Sequence, residues 1–118
     1  MAAKDVLGRR GEDLAVQYLE GQGLVVLSRN WRCRHGELDV VATDAGQLVV
    51  CEVKTRSSSR FGEPAEAVTP RKVARLRRVA QTWLAAHRVR WCTVRFDVVA
   101  IVAEPGREVT LQHHRDAF

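Results

Sequence analysis

Apolar and polar positions recur along this chain with two different periods, and the changes of period mark its elements. Between Asp5 and Glu20, the residues Leu7, Leu14, Ala15, Tyr18 and Leu19 share one broad helical face, with Gly21 and Gly23 following as stop signals. This pattern predicts a helix. Leu24 to Ser28 is a short apolar and β-branched run, and after a polar break Glu37 to Thr43 and Leu48 to Thr55 are two more, so three strands are predicted. Asp44-Ala45-Gly46 joins the last two as a hairpin. Ser57 to Glu63, with successive serines, Arg60 and Gly62, predicts a polar surface loop.

Thr69-Pro70 opens a second helix, because a threonine oxygen caps free N–H groups and proline suits the first helical position. That helix is expected to reach about His87. Val73, Leu76, Val79, Ala80, Trp83 and Leu84 form its apolar face, and Arg71, Arg75 and Arg78 lie opposite. Thr93 to Val102 predicts a further strand, Pro105-Gly106 a turn, and Glu108 to His113 a last short strand. The order is helix, three strands, helix, strand, strand. With no internal repeat, this is one α/β domain over residues 1–118 with a mixed sheet.

The bulk properties narrow the partners. A chain of 118 residues carries one sizeable core and is too short for two domains. Hydrophobic residues are 46% and charged residues 28%, which suits a globular protein. No segment reaches the roughly 18 apolar residues of a membrane helix, so no membrane partner is expected. The N-terminus MAAKDVLGRRGED has no apolar run behind its basic residues, which argues against a secretory signal and for the cytoplasm. Cys33, Cys51 and Cys92 are far apart, lack CxxC spacing and read as reduced thiols. With 19 Lys+Arg against 14 Asp+Glu, the charge of +5 favours an anionic partner.

The chemistry gathers on two predicted strands. Side chains two apart share a face, so Glu37 and Asp39 emerge together, as do Glu52 and Lys54, and the hairpin sets the pairs side by side. Their neighbours are almost all apolar, and a carboxylate there is costly unless it is paired or binds a metal. Mg²⁺ typically takes one or two carboxylates and completes its shell with water and phosphate. Asp39 and Glu52 supply that minimal site for Mg²⁺ or Mn²⁺, and Lys54 lies beside it to hold a water or stabilise transition-state charge. Projected at about 100° per residue, Glu12 falls between Val16 and Leu19 inside the apolar arc of the first helix. Either it completes the ligand set or it pairs with an interior Arg or Lys.

The runs GRRGEDLAVQYLEGQGLVVLSRNWRCRHGELDVV, LVVCEVKTR, FGEPAEAV and RFDVVAIV together resemble the YraN family of small bacterial proteins, over about Gly8 to Val102. That family is placed in the PD-(D/E)XK superfamily and is similar to archaeal Holliday-junction resolvases. The resemblance implies a restriction-endonuclease-like αβββαβ core, a mixed central sheet flanked by helices. It also implies a catalytic set of Glu12, Asp39, Glu52 and Lys54, with Asp39, Glu52 and Glu12 toward the metal. The first motif reads GELD and lacks the proline of the superfamily's name.

The expected function is therefore divalent-metal-dependent hydrolysis of DNA phosphodiester bonds, with branched or structured, resolvase-type DNA as the substrate class. The alternative is a nucleic-acid-binding module or complex subunit with a nuclease fold that does not cleave by itself. Arg71, Lys72, Arg75 and Arg78 form a basic helical stripe, with Arg29, Arg32, Arg34 and Arg60 in loops nearby; the stripe is either a solvated face or, with Arg32, Arg34 and Arg60, the source of the expected phosphate contacts. Trp31 is the stacking candidate, because Trp83 fits the core stripe. Gln81 reads as a surface amide, and neither Cys33-x-His35 nor His113-His114 has a second pair at zinc-ligand spacing. A junction offers two strands to cut, which makes a homodimer through the last strand, with Val109 and Leu111 on one face, a further expectation.

Overall fold

The computed structural model describes residues 3–57 and 69–118, with backbone alone for residues 3–6. Arg60 and the FGEPAEAV motif lie outside the described residues, as does most of the loop expected from Ser57 to Glu63. The elements are α1 (Ala3–Gly21), β1 (Val25–Cys33), β2 (Gly36–Asp44), β3 (Gln47–Arg56), α2 (Pro70–Ala86), β4 (Val94–Val102) and β5 (Thr110–His114). The five strands form one sheet in the order β1-β2-β3-β4-β5. β3 and β4 pair in parallel across the α2 crossover, and the other neighbours are antiparallel. This mixed α/β sheet with a helix on each face is compatible with the restriction-endonuclease-like core expected from the sequence.

Local chemistry explains the boundaries. α1 ends in a Schellman turn: Leu24 N–H reaches the Leu19 carbonyl at 3.1 Å, Gly23 N–H reaches that of Glu20 at 3.0 Å, and Gly23 takes φ 94°. At the start of α2 the Thr69 hydroxyl accepts a hydrogen bond from Lys72 N–H at 3.2 Å, and Pro70 stands in the first turn, as expected. Ala45 and Gly46, both at positive φ, make the two-residue turn between β2 and β3.

β1 differs from expectation. It continues past Ser28 to Cys33, through residues read as a polar break, and pairs with β2 as far as Cys33 opposite Gly36. The polarity reflects its place at the edge of the sheet, where alternate side chains meet water. It is tied in by side chains as well, with Trp83 Nε1 donating to Ser28 Oγ at 3.0 Å and Arg29 pairing with Asp13 of α1 at 2.6 Å. Arg29 and Arg32 are thus strand residues, and Arg34 lies in the tight turn before β2.

Two cores sandwich the sheet. Against α1 pack Ala15, Val16, Leu19, Val40, Ala42, Val49, Cys51, Val99 and Ile101; against α2 pack Leu38, Val41, Val50, Leu76, Val79, Trp83 and Phe96. Leu38 and Val40 belong to opposite cores although strict alternation would put them together, so β2 turns over at Asp39. No helix among the described residues is long and apolar enough to cross a membrane.

Candidate active site

Because β2 turns over at Asp39, that residue faces two adjoining clefts. One, of about 390 Å³, is lined by Cys33 to Glu37, Asp39, Glu52, Lys72, Arg75, Leu76 and Val79. The other, of about 300 Å³, is lined by Leu7, Gly8, Glu12, Asp39, Val53, Lys54 and Thr55. All four residues of the expected catalytic set therefore meet at one place, with Asp39 common to both clefts. The Asp39 carboxylate is held by the sheet itself, since its Oδ2 accepts a hydrogen bond from Val53 N–H at 2.9 Å.

Glu12 arrives there because α1 crosses β3 at close range. Gly11 is buried, and a Cβ on it would collide with Thr55 Oγ1, so only glycine permits the approach. Glu12 follows directly, and its Oε1 is buried without a hydrogen-bond partner among the described residues. Burial and then the nearby Asp39 charge raise its pKa, against the lowering effect of Arg29 and the Asn30 amide.

Glu52 is the most buried of the three acids, at 6% exposure. Burial and then repulsion from Asp39 push its pKa up to about 7, despite Lys72, Lys54 and the Asp39 backbone N–H. Its Oε2 also lacks a partner among the described residues. A buried carboxylate that is neither fully solvated nor fully paired favours a cation. Among the described residues no three acidic, His or Cys side chains close on one point as a preformed cage. The donor chemistry instead fits a hard cation with one or two carboxylates and a shell completed by water and phosphate.

Lys72 is the residue whose place the sequence reading missed. It does not stand on the solvent face with Arg71 and Arg78; its Nζ lies 3.9 Å from Glu52 Oε1 and its side chain is 19% exposed. The signal was present in the periodicity, because at about 100° per residue position 72 projects between Val79 and Trp83, inside the apolar arc. Burial, then contact with Lys54, lowers the Lys72 pKa.

The remaining expected phosphate contacts divide. Arg75 and Arg34 line the larger cleft, whereas Arg71 and Arg78 are exposed on α2 outside both clefts. Arg32 pairs with Glu37 at 3.2 Å. Trp31 is half-buried against the α2-side core, its ring 6.0 Å from that of His87, and the exposed indole is Trp91 at 88%. Trp91 lies past the C-terminal end of α2, at the far end of that helix from Lys72. Gln81 is exposed and lines a separate cavity with Phe96 and Phe118, as a surface amide should. His113 is structural: its Nε2 meets the buried Asp97 at 2.7 Å, and Asp97 also takes two 2.9 Å bonds from Arg95. Burial raises the Asp97 pKa, but Arg95, the Asp116 N–H and His113 together outweigh it and hold the group below the usual carboxylate range.

Comparison with known sequences shows the family of the chain. A family model described as "Uncharacterised protein family UPF0102" matches residues 11–101. A UPF0102 protein of Frankia alni is 54% identical over 118 residues, covering 100% of this chain and 98% of that protein. One from Acidothermus cellulolyticus is 50% identical, covering 99% and 96%. One from Mycolicibacterium gilvum is 60% identical over 109 residues, covering 91% and 89%.

Proposed function

The chain belongs to the uncharacterised protein family UPF0102, and on that premise we propose that it is a divalent-metal-dependent nuclease hydrolysing phosphodiester bonds in DNA. The observation that carries the reading is the meeting of Glu12, Asp39, Glu52 and Lys54, with two buried carboxylate oxygens that have no partner among the described residues. Asp39 and Glu52 would hold Mg²⁺ or Mn²⁺, with Glu12 completing the donor set directly or through water. Bound there, the cation supplies a Lewis acid that activates water and offsets charge on the phosphate. Lys54 orients the attacking water or meets the charge that builds on the phosphate oxygens. Arg75 and Arg34, on the wall of the larger cleft, grip flanking phosphates and so position the strand. Branched or structured DNA is the proposed substrate class, and a homodimer would supply the second site that cutting both strands of a junction requires.

The test is a cleavage screen over single-stranded, duplex, flap and four-way DNA and matching RNA, with Mg²⁺ and Mn²⁺. Metal-dependent products that vanish in Glu52→Gln and Asp39→Asn support the reading. Tight binding without products on every substrate would replace it with a non-cleaving module.

A further inference from the structure

We infer that Lys72 is the resident counter-ion of this site: its ammonium lies against Glu52 in place of a divalent cation and moves aside when one binds. The inference rests on the reading of the cleft as a cation site.

Three observations carry it. First, Lys72 is in the first turn of α2, where the partial positive charge of the helix N-terminus disfavours a cation, and no acidic residue of that turn compensates. A half-buried lysine there needs an anion from elsewhere, and Glu52 of β3 is the carboxylate it meets, at 3.9 Å. Second, Lys72 is crowded by a like charge, since its side chain is in contact with Lys54. Two ammoniums together are tolerable because the carboxylates of Glu52 and Asp39 lie beside them. Third, the ammonium meets only one oxygen of the carboxylate: Lys72 Nζ lies against Oε1, while Glu52 Oε2 has no hydrogen-bond partner among the described residues.

A divalent cation held by Glu52 would add two positive charges beside two ammoniums. Lys72, at 3.9 Å from the buried carboxylate, is the one it would displace. Its stem is long and flexible, and the cleft it lines also holds Arg75, so the displaced ammonium moves toward the place where a phosphate oxygen would sit. Lys72 thereby keeps the metal-free site folded and sets how tightly the cation binds.

The experiment uses Mn²⁺ alone, without nucleic acid, and counts free Mn²⁺ by electron paramagnetic resonance. Lys72→Met keeps the length and removes the charge. It should tighten the apparent Mn²⁺ Kd on the order of tenfold, since a positive charge within about 4 Å of the ligand is lost. In metal-free melts Lys72→Met should lower Tm by roughly 5 °C in the wild-type background and by much less in Glu52→Gln, where no buried charge is left to neutralise. Unchanged or weaker Mn²⁺ binding by Lys72→Met, or an additive double-mutant cycle, overturns the inference. A wild-type protein that binds no Mn²⁺ overturns the cation-site reading, and the displacement with it. Should Lys72→Met alone be too unstable to titrate, the comparison of Glu52→Gln with Glu52→Gln/Lys72→Met still decides whether the two side chains depend on each other.

Discussion

The carboxylate of Asp39 takes the place of a backbone group: it accepts a hydrogen bond from Val53 N–H at 2.9 Å, just beyond the rung where Val40 faces Cys51. The sheet therefore gives up one of its own ladder positions to a carboxylate, and the structural role of Asp39 can be separated from the proposed chemical one. Asparagine retains an oxygen that can accept from Val53, whereas alanine does not. Asp39→Ala should cost about 1–3 kcal/mol of stability through the unsatisfied N–H, and Asp39→Asn should melt close to wild type. Both should lose stabilisation by Mn²⁺. An Asp39→Asn protein that melts as low as Asp39→Ala would mean that the charge itself holds the fold.

Glu52 predicts a pH dependence of the metal-free protein. Its folded pKa is raised from 4.5 to about 7, so between these values the folded state holds a proton that the unfolded state has lost. Stability from this group is present below about pH 4.5 and is lost as pH rises toward 7, a change on the order of 3 kcal/mol. Glu52→Gln should flatten this part of the profile. Added Mn²⁺ should stabilise increasingly over the same window, because proton and cation compete for one carboxylate. A profile in that window identical for wild type and Glu52→Gln would contradict the raised pKa.

The close crossing of α1 over β3 is open to a steric test. A methyl group at position 11 would collide with the Thr55 hydroxyl, with Thr55 Cβ and Cγ2 at 3.0 Å. Gly11→Ala should push the helix outward and destabilise by about 1–3 kcal/mol. It should also weaken Mn²⁺ binding, because Glu12 moves with the helix. Thr55→Ala should restore part of both losses in the double variant. Full Mn²⁺ affinity in Gly11→Ala would show that Glu12 does not serve the cation.

What the sequence revealed and what it hid follow from the same physics. Periodicity located α1, α2 and the β2–β3 hairpin because each buries one regular face, and the i, i+2 rule paired Glu52 with Lys54 correctly. It failed on β1, whose edge position lets Arg29, Trp31 and Arg32 stay in a strand without an apolar run. Turnover of β2 at Asp39 was also hidden, since alternation assumes a regular strand and Leu38 and Val40 break it. Lys72 was hidden by its identity: a lysine among arginines reads as part of a solvated stripe, although its helical angle places it with the core. The buried network of Asp97, Arg95 and His113 depends on contacts between β4 and β5, which no local pattern encodes.

The arginines of α2 give the last prediction, and the structure sharpens it beyond a uniform stripe. Arg75 lines the cleft that holds Asp39 and Glu52, while Arg71 and Arg78 are exposed on the same helix outside it. On the proposed function, an arginine on the cleft wall would touch phosphates next to the scissile bond, so its loss should affect both affinity and the chemical step. An arginine farther out would neutralise a phosphate at a distance and contribute only to binding. Arg71→Ala and Arg78→Ala should each reduce the slope of log affinity against log salt by roughly one unit, without preference for sequence and with the single-turnover rate intact. Arg75→Ala should reduce the slope similarly and in addition slow cleavage at saturating protein by about tenfold or more, the scale of a lost positioning contact. The measurements are salt titrations by anisotropy beside single-turnover kinetics on the substrate found in the screen. Equal effects of all three substitutions on the rate would remove the distinction between cleft wall and outer face. An unchanged salt slope in all three would show that the stripe is a solvated face and that the nucleic acid is held elsewhere.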